Sequence, residues 1–153
     1  MCLRFGVGQN LYIYKQSVVS PANDWEQAIT DWYEEVKDFS NKHVEPFQFN
    51  SATGHYTQVL WAETDKVGCG ATSYKDGSWF TTLYVCNYGP NGNFIRGQIY
   101  QQGPACSACR EGFVCSTEFP GLCSKLLIYS YGYYSSPFFF YFSFWVFLTK
   151  LSS

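Results

Sequence analysis

Two strand-like runs meet at a turn in "KVGCGATSYKDGSWFTTLYVCNY", residues 66 to 88, and each run carries one cysteine. "KVGCGATSY" and "WFTTLYVCNY" are rich in β-forming residues and flank the turn cluster "KDGS", so the segment predicts a β-hairpin. With Gly77 and Ser78 as a two-residue loop, Cys69 and Cys86 stand directly opposite each other on neighbouring strands. Their Cβ atoms then come within disulfide range, and the bridge locks the register of the sheet. A free nucleophilic Cys69, despite its flanking glycines, is the poorer reading of the same pattern.

The other cysteines point the same way. Four of the seven lie between 106 and 123, in "CSACREGFVCSTEFPGLC". A zinc site would need repeated C-x-x-C spacing or a nearby histidine, and neither is present. We therefore expect disulfides and an oxidising compartment. Of the three connectivities open to four cysteines, we take Cys106 with Cys115 and Cys109 with Cys123. Seven is an odd number, and Cys2, at the extreme start, is expected to be the unpaired one. A disulfide-bonded protein needs a secretory signal, yet "MCLRFGVGQNLYIYK" has no charged region followed by a long apolar stretch. The expectation is a chain that begins inside a longer protein or at a misplaced start.

"ANDWEQAITDWYEEVKDF", residues 22 to 39, predicts one helix. Trp25, Ile29, Trp32, Val36 and Phe39 recur at i, i+4, i+7, i+11 and i+14, a single apolar stripe. Asn23 with Glu26 fits a capping box. Glu35 falls beside Trp32 and Phe39 at the stripe's edge. Periodicity alone makes it a boundary residue reaching for solvent, or, on a sharper reading, a carboxylate aimed into a cleft.

Charge excludes some functions. The formal net charge is -2 with no basic run, so nucleic acid is not an expected partner. No G-x-S-x-G elbow, dinucleotide fingerprint or phosphate loop occurs, and no N-x-S/T sequon. The last 29 residues carry only Lys125 and Lys150 as charges, and 12 of the 32 aromatic residues lie in 126 to 153. That shift marks a boundary near Ser124. The uncharged stretch 126 to 149 is long enough to span a bilayer, but Ser135, Ser136 and Pro137 interrupt it and only "FFFYFSFWVFL" is densely apolar. We read it as a mis-spliced or read-through addition in preference to a real membrane anchor, so a membrane is a partner only if the tail is genuine.

"GHYTQVLW" followed by "VGCG", and "YVCNYGPNGN" at 84 to 93, closely resemble the two signature segments of the CAP superfamily. That superfamily unites cysteine-rich secretory proteins, insect venom antigen 5 allergens and plant pathogenesis-related 1 proteins. "GVGQNLY" at 6 to 12 and "WYEEVKDF" at 32 to 39 resemble its other recurring segments, in the right order, and the cysteine-rich end is similar to the extension of insect venom-allergen-like members. The resemblance covers roughly residues 5 to 123 and implies an α+β protein, a CAP-type α-β-α sandwich. The division is then a partial CAP domain (1–103), a cysteine-rich extension (104–124) and an aromatic hydrophobic tail (125–153).

The resemblance also implies a cleft of two histidines and two acids, which holds a divalent metal in some members. His55 matches one histidine and Glu35 one acid. Gln9 stands where the other acid is expected, and the segment that would carry the second histidine is absent from this chain. His43, in "SNKHVEPF", is a weak replacement. Two ligands and a neutral amide make a poor zinc site, so no cofactor or stable metal is expected. The first helix is missing as well. An uncovered sheet face, at ~25 cal/mol per Å² over several hundred Å², would cost on the order of 10 kcal/mol and make the chain fold poorly. The expected function is a secreted, non-enzymatic, venom- or saliva-allergen-like protein binding a lipid, sterol or host protein. The alternative is a metal-dependent hydrolase using the His/Glu cleft.

Overall fold

A computed structural model describes residues 6–18 and 24–125. The expectations for Cys2, Asn23 and the aromatic tail 126–153 lie outside the described residues. Contacts divide the chain into two units between Tyr100 and Gln101.

The first unit is built on a three-stranded antiparallel sheet in the order β1-β3-β2. β1 is Gly8–Gln16, β2 is Lys66–Asp76 and β3 is Trp79–Gly89. β2 and β3 form the expected hairpin, with Asp76 opposite Trp79 and Gly77 at φ 60° in the turn. A glycine there takes the left-handed conformation without a Cβ penalty. Cys69 faces Cys86 in the ladder and is bridged to it.

Helix α1 spans Trp25–Glu34 and relaxes into a 3-10 turn over Glu35–Asp38; α2 is the short Gly54–Leu60. The predicted helix is thus shorter than 22 to 39. Its N-cap is Asp24, whose side chain accepts from the Gln27 amide, in place of the Asn23 box. The apolar stripe is also rotated: Ala28 and Trp32 are buried, while Ile29 is 45% exposed. Ala28 is too small to register in a pattern of large apolar residues, and it marks the true contact line. That rotation moves Glu35, seven positions on from Ala28, from the edge of the stripe to its middle.

Both helices lie on one face of the sheet. Trp32, Cys86 and Tyr88 form one buried cluster with Tyr12, Trp25 and Val59 against it, and Trp32 Nε1 donates to the Leu11 carbonyl. A second cluster gathers Val44, Phe47, Tyr56, Leu60, Trp61 and Ile99. On the opposite face Leu11 and Ile13 are exposed, beside half-buried Leu83 and Val85. The described residues therefore supply the sheet and the helical layer on one side of it.

The second unit is a two-stranded ribbon, β4 (Phe113–Cys115) with β5 (Cys123–Lys125). Cys106 is bridged to Cys115 and Cys109 to Cys123, as expected. Leu122 is its one buried large apolar residue among those described. A segment this small cannot build an adequate core, and disulfides substitute for one.

Candidate functional site

The site forms where the end of α1 meets the start of α2. A helix leaves its first N–H groups without partners inside the helix. At α2, Thr53 occupies the N-cap position but its side chain makes no capping bond. Glu35 takes over that task from twenty residues away. Its Oε2 accepts from the His55 and Tyr56 backbone amides, each at 3.0 Å. Its Oε1 lies 2.6 Å from His55 Nδ1. A carboxylate here also meets the positive end of the helix dipole.

His55 is oriented from three sides. Glu35 holds Nδ1, Trp32 stacks on the ring with centroids 6.2 Å apart, and Asn10 Nδ2 donates to the His55 carbonyl at 3.1 Å. Asn10 is fully buried and also donates to the Tyr88 hydroxyl. Burial pushes the Tyr88 phenol up to about 12, with the Asn10 hydrogen bond pulling weakly the other way. Tyr88 is therefore neutral at physiological pH and cannot serve as a base there. The His55 side chain remains 39% exposed and Glu35 20% exposed, so the groove is open to solvent at the imidazole.

The motif amides form a scaffold beneath the pair. Gln58 Oε1 accepts from the Gly92 amide, and Gln58 Nε2 donates to Thr64. Thr57 donates to Asn93 Oδ1, whose Nδ2 donates to the Gly54 carbonyl. A Cβ on Gly8 would lie 1.9 Å from Gln58 Oε1, and one on Gly92 2.6 Å from the Trp61 ring. Both positions need glycine for close packing.

Gln9 is the correction. Asn10 points its side chain at His55 and Tyr88, so strand alternation turns Gln9 to the other face. There its amide nitrogen donates to Asn87 Oδ1 at 2.8 Å. The expected groove of His55, Glu35 and Gln9 therefore reduces to the first two. His43 lies in the 3-10 turn Asn41–His43. Among the described residues no group of three His, Cys, Asp or Glu side chains could hold a metal ion. Both Glu35 oxygens are engaged, which leaves His55 Nε2 as a single good donor; these residues do not fit a zinc centre.

The sequence model of the cysteine-rich secretory protein family, CAP, matches residues 4–88. The chain belongs to the CAP family. It is 45% identical over 123 residues to a "Cysteine-rich venom protein" of Tityus serrulatus, covering 80% of this chain and 30% of that relative. It is 46% identical over 96 residues to a "Venom allergen 5" of Microctonus hyperodae, covering 61% of this chain and 41% of the relative. The CAP chain thus spans less than half the length of these relatives. Among solved structures, "NaASP2 with Zn2+" aligns at a TM-score of 0.62 and 33% identity, covering 78% of this chain and 60% of that one. The CAP fold is accordingly present in partial form, and the protein is venom-allergen-like. Trp32 and Asn10 are the groove residues that sequence reasoning missed. Trp32 reads from the sequence only as core, and Asn10 becomes legible only once β1 is placed and its side chains alternate.

Proposed function

We propose that this is a secreted protein that acts by binding and not by catalysis. The observation that carries the reading is the engagement of Glu35. All three of its hydrogen bonds hold structure: two complete the N-terminus of α2 and one orients His55. A carboxylate so engaged is a poor general base and a poor metal ligand. Secretion is supported by the disulfides and by relatives named for venom and saliva.

A lipid or sterol is the favoured ligand class. The sheet face away from the helices, which a complete α-β-α sandwich would cover with a second helical layer, carries an open apolar depression lined by Gly68, Gly70, Thr72, Leu83, Val85 and Asn87 among others. Exposed Leu11 and Ile13 extend the apolar surface alongside. A host protein is the other outcome to be distinguished.

The test uses the full chain. Fluorescent sterol and fatty-acid probes should bind, and Leu11→Asp should weaken them while His55→Ala leaves them unchanged. Binding that ignores Leu11→Asp would remove the apolar face from the proposal. Calorimetric titration with zinc decides the hydrolase alternative, which the zinc named with the NaASP2 structure motivates. Weak or absent zinc binding is expected. Micromolar or tighter zinc binding that disappears in His55→Ala would overturn the non-catalytic reading.

A further inference from the structure

The geometry points to self-association through the outer edge of β2: a second copy of this chain adds its own β2 antiparallel, making one continuous six-stranded sheet. Among the described residues β2 is an outer strand of its sheet. It runs for eleven residues, all of them exposed. Edge strands are usually short, or are blunted by proline, bulges or central charges, because an open ladder invites pairing. β2 has none of these along its length. Its register with β3 runs unbroken from Lys66 opposite Gly89 to Asp76 opposite Trp79. Its charges, Lys66, Lys75 and Asp76, sit at the two ends, and "VGCGATSY" between them carries none.

The phase of the ladder identifies which backbone groups face outward. A two-residue hairpin loop is closed by a hydrogen-bonded pair, here Asp76 and Trp79. Cys69 and Cys86, with Cα atoms 4.1 Å apart, show the short spacing of a non-hydrogen-bonded pair. Both observations assign the even-numbered residues of β2 to bonding with β3. The amides and carbonyls of Val67, Cys69, Ala71, Ser73 and Lys75 therefore point away from the sheet.

Two copies can bond only where outward groups meet outward groups. One such register places Ala71 opposite Ala71 of the second copy, Cys69 opposite Ser73 and Val67 opposite Lys75, for about ten ladder bonds. The same register sets Lys66 opposite Asp76 at both ends and on one face of the joined sheet. Lys66 already bonds Asp65, and Asp76 already bonds Lys15, so pairing brings together charges of alternating sign. A one-residue slip would set Lys66 against Lys75 and put the backbone groups out of phase. Registers slipped by two residues keep the phase but take Lys66 off Asp76, so charge chooses this register among those the phase allows, and a second copy supplies the complementary ends. An interface of one strand a side lies at the small end of specific contacts, so a dimer that forms in the micromolar range is expected.

Sedimentation velocity on the full chain across the micromolar range tests this. The wild type should shift from monomer to dimer with concentration. Ala71→Pro removes an outward amide and no bond to β3, so it should weaken the dimer by roughly tenfold or more with the near-ultraviolet circular dichroism retained. In a Cys2→Ser background, Ala71→Cys should cross-link to a dimer on a non-reducing gel, and Tyr74→Cys, which faces Gly68, should not. If the proline variant fails to fold, this cross-linking pair decides alone. A wild type that stays monomeric, a dimer indifferent to Ala71→Pro in a folded variant, or equal cross-linking at 71 and 74 would each overturn the proposal. These outcomes are independent of sterol binding, which is read on the face of the sheet.

Discussion

β2 and β3 are equal in length and joined by one turn, yet they belong to different environments. β3 is "WFTTLYVCNYG", and Thr81, Thr82, Tyr84, Cys86 and Tyr88 along it are buried. β2 is "KVGCGATSYKD", and every residue is exposed. The central strand receives β1 on one side, β2 on the other and the helices above. Among the described residues β2 receives one neighbour, and it offers mostly small side chains that cover little. The lesson is that the two strands are held by different forces. β3 is fixed by side-chain packing, while β2 is fixed by backbone ladder bonds and one disulfide.

Substitution of matched tyrosines should break the symmetry most sharply. Tyr84 is 1% exposed, packs against Tyr12 and Trp25, and its hydroxyl accepts from the Asp24 amide. Tyr84→Ala should cost about 3–5 kcal/mol in denaturant unfolding, the usual range for deleting a buried aromatic ring. Tyr74→Ala on exposed β2, where the ring is 50% exposed, should stay within about 0.5 kcal/mol. Similar losses at the two sites would show that β2 is packed after all.

Removal of the bridge comes next. The Cys69–Cys86 disulfide spans 17 positions, and a loop of that length constrains the unfolded chain by about 3 kcal/mol. The double variant Cys69→Ala, Cys86→Ala should lose about that much. Amide hydrogen exchange should quicken more along β2 than along β3, because β3 keeps its packing. Uniform acceleration over both strands would contradict the division.

Alkaline titration probes the tyrosines whose phenols burial raises, and Tyr88 is the one that β3 contributes. The Tyr88 phenol is raised from 10.0 to about 12 by burial. A raised folded-state value means that the neutral form is favoured in the fold. Its stabilising contribution is complete below the ordinary pKa and is lost as pH rises from about 10 to about 12. Unfolding free energy should therefore decline across that window, and Tyr88→Phe should flatten the decline. An unchanged slope in Tyr88→Phe would assign the effect to other tyrosines.

A modest effect is expected in the turn between the strands. Gly77→Ala, at φ 60°, should cost about 1 kcal/mol by thermal melting. Open space surrounds that position, so conformation and not collision sets the cost.

The sequence was most legible where the signal was local. Turn chemistry between two β-rich runs placed the hairpin, and the equal distances of Cys69 and Cys86 from it placed the bridge. The helix was legible as an element but not in its details. Asp24 caps it where Asn23 was expected, and Ala28, carrying little hydrophobic signal, defines the buried line that Ile29 does not. Motif resemblance correctly paired Glu35 with His55. It failed for Gln9 because a motif aligns positions and says nothing of the direction in which a side chain leaves a strand. The capping role of Glu35 was not legible at all, since it depends on a helix end that packing alone brings near.

That borrowed cap has a consequence for the order in which the protein assembles. α2 has seven residues, well under the dozen or so that an isolated helix needs to persist in water. Its own N-cap residue contributes no side-chain bond, and the group that completes it sits on the far side of a twenty-residue loop. α2 is therefore a conditional helix. Its formation waits on the docking of α1, and the loop-closure entropy of that docking is charged to both helices at once. The groove around His55 then exists only in the assembled state, so the histidine acquires its orientation in the same cooperative step that gives the domain its core.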